Sequence, residues 1–509
     1  MRRADRAAIR GGIPSGDLME NAATALALEL VRRWPDSRTV AVLCGPGNNG
    51  GDGLAAARLL SASGRSVRVW TLSDPEAYRG DAAENAARAR SVGLTLERID
   101  PSLGAAAIAR AIAETDVVVD ALFGTGLARP LSGLAARIVS AVNRSGRPVL
   151  SADVPSGLSS DTGDLIGPAI RASGTVAFGA PKICHVAFPA RAECGEIRVA
   201  DIGISRAVLG RMANRIFLAE ASDVRKLCPP RPLDSHKGTF GRLAVIAGSR
   251  GKSGAAVLAA RGALRAGAGL VTVFCAAPLE AEIVSALPEA MTLPLPEESG
   301  AIAESAAALA LRALAGFDAA VVGPGLSTAP GTVAFLRRLF AVRLPLVCDA
   351  DALNSFAGHP RVFRSRVITP HPGEAARLLA CTTREIQADR IAAARRLARR
   401  SGATVVLKGA ASLVATPAGE ITVNPTGTPL MATAGSGDVL AGALGAGLAR
   451  GLAPAQAAVA AAWLHGAAGE RLAARLGDSG LLASELADAI PPARRDLLDR
   501  VETGRESVE

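Results

Sequence analysis

Apolar and polar positions fall into two alternating patterns along the chain. Short apolar runs stand between longer stretches whose apolar residues recur at helical spacing. In the first part, Val40–Cys44, Ser66–Leu72, Asp116–Val119, Pro148–Ala152 and Thr175–Ala177 predict strands. Asp17–Arg33 predicts an amphipathic helix, with Leu18, Ala22, Ala25, Leu26, Leu28 and Leu30 apolar. Leu54–Ser63, Ala82–Val92, Ala105–Glu114 and Leu131–Arg144 predict helices between the strands. This alternation implies an α/β fold whose mainly parallel sheet is covered on both faces, with functional loops at the carboxyl ends of its strands. The pattern breaks at Ser205–Pro232, where Cys228-Pro-Pro-Arg-Pro can continue neither a helix nor a central strand. A domain boundary is expected just before it, near Met212–Ala219. A second α/β pattern follows, with strands at Leu243–Ala247, Leu270–Phe274, Ala319–Val322, Leu346–Cys348, Arg366–Thr369 and Thr404–Leu407 and a polar hairpin at Ser412–Val423. The expected domains are 1–213 and 216–498, with a charged tail over 499–509.

The strand ends carry the candidate chemistry. Gly45–Gly53 reads GPGNNGGDG between a strand and the helix expected from Leu54. Its glycines predict a tight turn whose amide N–H groups approach a ligand, with Asn48, Asn49 and Asp52 as its polar side chains. Gly45, Gly47 and Gly50 also fit a dinucleotide-binding G-x-G-x-x-G, with Asp74 near the end of the next strand, and a purely structural turn is the third reading. Asp120 closes one strand and Asp153 another, and with Asn49 they are expected to converge on one crevice. A lone buried carboxylate is costly, and a monovalent cation held by Asn49, Asp120 and Ser156 would offset that cost. Capping of the following turns is the plain alternative for each aspartate.

In the second part, Gly248–Ser253 ends in Gly-Lys-Ser, but a phosphate-binding P-loop needs glycine where Ile246 stands. The informative stretch is Asn424–Gly442. There Ala434-Gly435-Ser436-Gly437-Asp438 opens a helix expected to reach about Leu448. The N–H groups of a helix start can hold a phosphoryl group or a developing oxyanion. Asp438 is placed to accept a proton from an attacking hydroxyl, although a first-turn acid is also an ordinary helix feature. Further polar turns share the domain: Gly323-Pro-Gly-Leu, Asp349-Ala-Asp-Ala-Leu-Asn, Thr369-Pro-His-Pro-Gly-Glu and Leu407-Lys-Gly-Ala. His371 lies between two prolines, and Lys408 could face a nucleotide phosphate or snorkel to the surface.

Composition narrows the classes. A chain of 509 residues, 49% hydrophobic and 20% charged, is globular and too long for one ordinary core. The net charge of +10 comes without blocks of like charge and with only 3% aromatics, which argues against stacking on nucleic acid and suits anionic small molecules. The seven cysteines are dispersed and never spaced C-x-x-C, as in a reduced, cytoplasmic protein. Met1–Pro14 lacks the apolar core of a signal peptide, and Gly451–Gly469 reads as a buried helix rather than a membrane span.

At this point a family resemblance emerges. GPGNNGGDG, DALFGTGLARP and DVPSGL resemble the NAD(P)H-hydrate epimerase domain. HKGTFGRLAVIAGS, GPGLS, DADALN, TPHPGEAARLL, LKGA and NPTGTPLMATAGSGDVLAG resemble the NAD(P)H-hydrate dehydratase domain of the ribokinase-like superfamily. The resemblance covers nearly the whole chain. It implies a Rossmann-like parallel-sheet sandwich followed by a ribokinase-like α/β domain. It also implies that the R and S hydrates of NADH and NADPH are interconverted by the first domain, and that the S form is dehydrated by the second with ADP, as in bacterial members. By this resemblance Asn48, Asn49, Gly50, Gly51 and Asp52, then Gly124, Thr125, Gly126, Leu127, Ala128, Arg129 and Pro130, and Asp153 hold the hydrate in the first domain. Asp153 is the proton-transfer residue, and Asn49, Asp120 and Ser156 bind potassium. In the second domain Ala255, Gly325, His371 and Asp438 contact the hydrate. Lys408, Gly409, Ala410, Ala411, Ser412 and Gly437 contact the adenine nucleotide, which magnesium accompanies. Asp438 activates the hydrate hydroxyl. The anion-site loop departs from the family pattern at Thr428, Leu430 and Ala434, where Asn, Gly and Gly are usual. Expected partners are these small molecules and further copies of the chain in a homo-oligomer, with no nucleic acid and no membrane. The alternative is a ribokinase-like small-molecule kinase joined to a nucleotide-binding regulatory module.

Overall fold

A computed structural model of the chain describes residues 1–212 and 215–499. The expected charged tail, beyond Asp499, lies outside the described residues. The chain divides into two compact units, Met1–Asn214 and Arg215–Glu509.

In the first unit seven parallel strands run edge to edge in the order Leu96–Arg98, Ser66–Thr71, Thr39–Cys44, Val117–Ala121, Val149–Ala152, Gly174–Phe178 and Glu196–Ala200. Strict alternation assigns side chains to two cores. Val40, Val42 and Cys44 pack under the helices Ser15–Arg33 and Asn48–Ala62, whereas Ala41 and Leu43 pack on the opposite face with Ile138 and Val142. Each fully buried Val or Leu contributes about 1.5–3 kcal/mol, so the central strands are fixed by burial on both faces. The order of strands reverses between Thr39–Cys44 and Val117–Ala121, which opens a crevice above their carboxyl ends.

Five features depart from the sequence expectation. The helix expected from Leu54 starts at Asn48, so Asn48, Asn49 and Asp52 stand on its first turns rather than in a loop. None of the five glycines of Gly45–Gly53 has positive φ. A Cβ on Gly45 would lie 1.7 Å from the Leu122 carbonyl oxygen, and one on Gly50 1.9 Å from that of Gly45. Most of these glycines therefore serve close packing rather than a curled turn. The edge strands Leu96–Arg98 and Glu196–Ala200 were not expected, because their exposed positions break up any apolar run. Leu28, read as part of the apolar stripe, is 64% exposed. Asp120 lies within its strand rather than after it, paired in register with Ser151.

The second unit holds a ten-stranded sheet. Met291–Leu295, Leu270–Ala276, Arg242–Ile246, Ala319–Val322, Leu346–Cys348, Val367–Ile368 and Thr404–Leu407 run parallel in that order. The hairpin Leu413–Ala415 and Ile421–Val423 adds antiparallel strands, and Ile216–Leu218 pairs parallel at the outer edge. Here the order reverses between Arg242–Ile246 and Ala319–Val322. The helix Ser436–Ala449 packs on Ser253–Arg265 through glycines: a Cβ on Gly442 would lie 1.9 Å from the Ala259 carbonyl oxygen, and one on Gly262 2.5 Å from that of Val439. Gly451–Gly469 falls largely within the helix Pro454–Leu476, which buries Trp463, Leu464 and His465. Among the described residues no helix is long and apolar enough to cross a membrane.

Candidate active sites

The first unit has a cleft of about 460 Å³ at its topological switch. Asn48, Asn49 and Asp52 line it from the helix start, and Gly124, Thr125, Gly126 and Leu127 from the loop after Val117–Ala121. Gly50 and Gly51 are buried beneath this surface, while Ala128, Arg129 and Pro130 continue the loop as exposed residues outside the lining. Asp153 follows its strand at φ 63°, a conformation that turns its carboxylate into the cleft. Its Oδ1 accepts from the Phe178 amide at 3.0 Å and forms a buried ion pair with Lys182 Nζ. Lys182 Nζ also donates to the Phe178 carbonyl at 2.8 Å, and the Lys182 amide donates to His185 Nδ1 at 3.0 Å. Burial drives the His185 imidazole down to about 4. Burial also lifts the Asp52 carboxyl well above its ordinary range, helped by the neighbouring charges of Asp153 and Asp5.

Asp120 sits below the cleft rather than in it, with no exposed surface. Its carboxylate accepts from Ser156 Oγ at 2.6 Å, the Ser156 amide at 2.9 Å, Ser151 Oγ at 2.9 Å and the Leu122 amide at 3.3 Å. Burial raises its pKa, and these donors oppose the rise. No basic side chain pairs with it among the described residues. The Asn49 amide lies against Gly124, where a Cβ would be 2.9 Å from Oδ1, and its buried Nδ2 has no hydrogen-bond partner among the described residues. Asn49 thus bridges the cleft and the loop above Asp120, and Ser156 Oγ reaches the same loop at the Phe123 amide and carbonyl. The buried Asp120 charge is thus met by two hydroxyls and two amides, and a monovalent cation beside it would lower its remaining cost.

In the second unit, Gly435 caps the helix Ser436–Ala449 at φ 85°, a left-handed turn suited to glycine. His465 Nε2 lies 2.9 Å from the Ser436 carbonyl oxygen and holds this helix start from below. Asp438, in the first turn, has its pKa pushed up to about 7 by burial and then by the charge of Asp349, with Lys408 opposing. Lys408 Nζ donates to Asp349 at 2.7 Å and lies 3.9 Å from Glu374. Burial opposes the Lys408 charge, but these carboxylates outweigh it and raise its pKa. A Cβ on Gly437 would lie 3.2 Å from that ammonium. Lys408 is therefore turned into a carboxylate cluster, neither open to solvent nor free. His371 caps the helix Pro372–Leu379 through Nδ1 and lies 3.5 Å from Glu374, and burial and then Lys408 lower its pKa. Across the switch point Ser249 Oγ donates to the Gly325 carbonyl at 2.7 Å, and a Cβ on Gly325 would lie 3.0 Å from that of Ala255. Asp351, bonded to Lys252 at 3.1 Å, links this corner electrostatically to Asp438. Gly409–Ser412 leave the strand Thr404–Leu407 beside Arg390. Leu430, one of the departures from the family pattern, is buried in the short helix Pro429–Met431, which Thr428 caps. A larger cavity of about 900 Å³ lies elsewhere, between Pro454–Leu476 and Ala483–Asp499.

Residues 15–184 match the family described as YjeF-related protein N-terminus, and residues 243–492 match the family described as NAD(P)H-hydrate dehydratase. The chain is 42% identical over 504 residues to the bifunctional NAD(P)H-hydrate repair enzyme of Moorella thermoacetica, covering 96% of this chain and 94% of that protein. The chain belongs to the bifunctional NAD(P)H-hydrate repair enzyme family. The Escherichia coli member of this repair-enzyme family is 38% identical over 478 residues, covering 93% of this chain and 88% of that protein. A crystal structure of the ADP/ATP-dependent NAD(P)H-hydrate dehydratase from Bacillus subtilis, co-crystallized with ATP/Mg2+, is 30% identical, with a TM-score of 0.49 over 56% of this chain and all of that one. Within the repair-enzyme chain, sequence reasoning gave no role to Lys182, Asp5, Asp349, Glu374 or Arg390. Asp349 and Glu374 stand in polar turns singled out beforehand. Lys182 gave no signal, because its partner is 29 residues away and meets it only through the fold.

Proposed function

We propose that the first cleft epimerises the R and S hydrates of NADH and NADPH, and that the second site dehydrates the S hydrate at the expense of ADP. The reading is supported by a carboxylate beside a lysine at each site: Asp153 with the buried Lys182, and Asp438 near the largely covered Lys408. In the first cleft the hydrate lies between Asn48–Asp52 and Gly124–Pro130, and Asp153 transfers the proton, with Lys182 compensating its charge. Asn49, Asp120 and Ser156 would hold a potassium ion, whose charge would offset that of the buried Asp120 carboxylate.

At the second site Ala255, Gly325, His371 and Asp438 hold the hydrate, while Lys408–Ser412 and Gly437 hold the nucleotide. Asp438, with a pKa near neutrality, accepts the hydroxyl proton as that oxygen attacks the terminal phosphoryl group. The N–H groups at the start of Ser436–Ala449 steady the phosphoryl oxygens. Departure of phosphate with its C–O bonding pair, and loss of a proton from the neighbouring carbon, restore the double bond. A magnesium ion would accompany the nucleotide and offset the charge of its phosphates.

The test is incubation of the pure protein with mixed R and S hydrates, magnesium, and ADP or ATP. Full recovery of reduced-cofactor absorbance is expected with ADP. Recovery of the S share alone would remove the first activity, and no recovery would remove the second. A stable phosphorylated alcohol would instead favour a small-molecule kinase.

A further inference from the structure

The geometry points to Arg390 as a positioning residue that shapes the nucleotide loop of the second domain and sets its affinity for a nucleoside diphosphate. The inference rests on the reading that Lys408–Ser412 contact the nucleotide. Arg390 opens the helix Arg390–Ser401, whose N-cap is Asp389. Its guanidinium reaches back to the loop leaving Thr404–Leu407. One terminal nitrogen donates to the Leu407 carbonyl at 3.3 Å and the Lys408 carbonyl at 3.2 Å, and the other donates to the Ala410 carbonyl.

Two further observations show that this contact is built. The first turn of a helix is the electrostatically wrong end for a cation. Arg390 has no carboxylate partner there among the described residues, and burial lowers its pKa to about 10. The carbonyls are what offset that cost. Gly409, at φ 135°, is also fitted to it: a Cβ there would lie 2.9 Å from the guanidinium. The glycine makes room for the arginine.

The consequence follows from peptide planarity. In a trans peptide the N–H points opposite to the preceding carbonyl. Turning the Leu407, Lys408 and Ala410 carbonyls toward Arg390 aims the Lys408, Gly409 and Ala411 N–H groups away from it. The Lys408 N–H donates to the Pro370 carbonyl at 2.9 Å. Those of Gly409 and Ala411 have no acceptor among the described residues. Ala411 itself stands at φ 49°, a conformation a non-glycine residue adopts only when its surroundings impose it. Arg390 thus presents two free donors on the far side of the loop, a backbone arrangement suited to an anion.

The experiment measures ADP binding by calorimetry and steady-state kinetics in the full chain. Arg390→Lys keeps the charge but not the planar fork, and ADP affinity is expected to fall by about tenfold or more. The KM for the S hydrate is expected to stay within about twofold, below the effect of one ordinary hydrogen bond. In Arg390→Ala, added methylguanidinium is expected to recover part of the ADP affinity. Wild-type ADP affinity in both variants, or an equal loss of hydrate and ADP affinity, would overturn the inference. A wild-type chain that does not bind ADP would instead overturn the reading of the site.

Discussion

The two sites occupy the same place in two sheets and are built by opposite means. In the first, the glycines around Asn48 and Asn49 have ordinary φ and are needed for space, letting the helix start sink onto Leu122 and the neighbouring strand. In the second, Gly435 and Gly409 are needed for left-handed backbone, which turns N–H groups outward. The charge arrangements differ too. Lys182 takes Asp153 directly as its partner, whereas Lys408 binds Asp349 and leaves Asp438 in its field without a direct bond. The first arrangement pairs its carboxylate directly with a cation. The second leaves one near neutrality, ready to gain or lose a proton. Helix starts above a parallel sheet can therefore yield either a side-chain site or a backbone site, depending on whether glycine supplies room or φ.

The contrast can be broken most sharply at the two aspartates. Asp438→Asn is expected to slow dehydration by about 10²–10⁴-fold while epimer exchange continues at its original rate. Following both epimers by chromatography beside cofactor absorbance separates the steps, and parallel loss of both would mean that the sites are not independent. Asp153→Ala is expected to slow epimer exchange by about 10²-fold. It also strands the buried Lys182, at a cost of roughly 3–5 kcal/mol in denaturant unfolding. Persistence of epimer exchange would remove Asp153 from the mechanism.

Glycine substitutions sharpen the comparison at smaller scale. Gly50→Ala drives a methyl into backbone and should destabilise by about 2–3 kcal/mol, while Gly47→Ala, with φ −105° and open space, should stay within about 0.5 kcal/mol. Gly435→Ala should fall between them at about 1–2 kcal/mol, since its cost is left-handed backbone and the nearest atom belongs to the movable Leu258 side chain. The gentlest probe is pH. If Asp438 acts as the base, dehydration should rise about tenfold per unit up to about pH 7 and then level off. Because its folded pKa lies above the ordinary 3.8, the folded form holds the proton more tightly, so its contribution to stability falls as pH rises from there to about 7. Asp438→Asn should flatten both curves.

Much of this was legible in the chain itself, for a physical reason. Strands buried on both faces, such as Thr39–Cys44 and Ala319–Val322, announce themselves as apolar runs. Asp153 stands out as a polar residue at the end of such a run, and Asp438 as an acid in a Gly-Ser-Gly helix start. Edge strands were hidden by their exposed side chains, and the Arg2–Arg10 helix by its charges, although Ala4 and Ala8 dock it on the core and Asp5 faces the first cleft. The helix start at Asn48 was misplaced because glycine usually argues against helix, whereas here only glycine fits under the neighbouring backbone. Arg390 carries no local signature, because its three carbonyl partners lie 17 to 20 residues further on.

The strand Ile216–Leu218 has a practical corollary. It completes the outer border of the second sheet by pairing with Ile421–Val423, and the Arg215 carbonyl accepts from the Ile421 amide at 2.9 Å. A fragment trimmed to the matched residues 243–492 would shed that border and bare a row of unsatisfied peptide groups, an invitation to self-association. Anyone isolating the C-terminal catalyst should begin the clone upstream of Arg215.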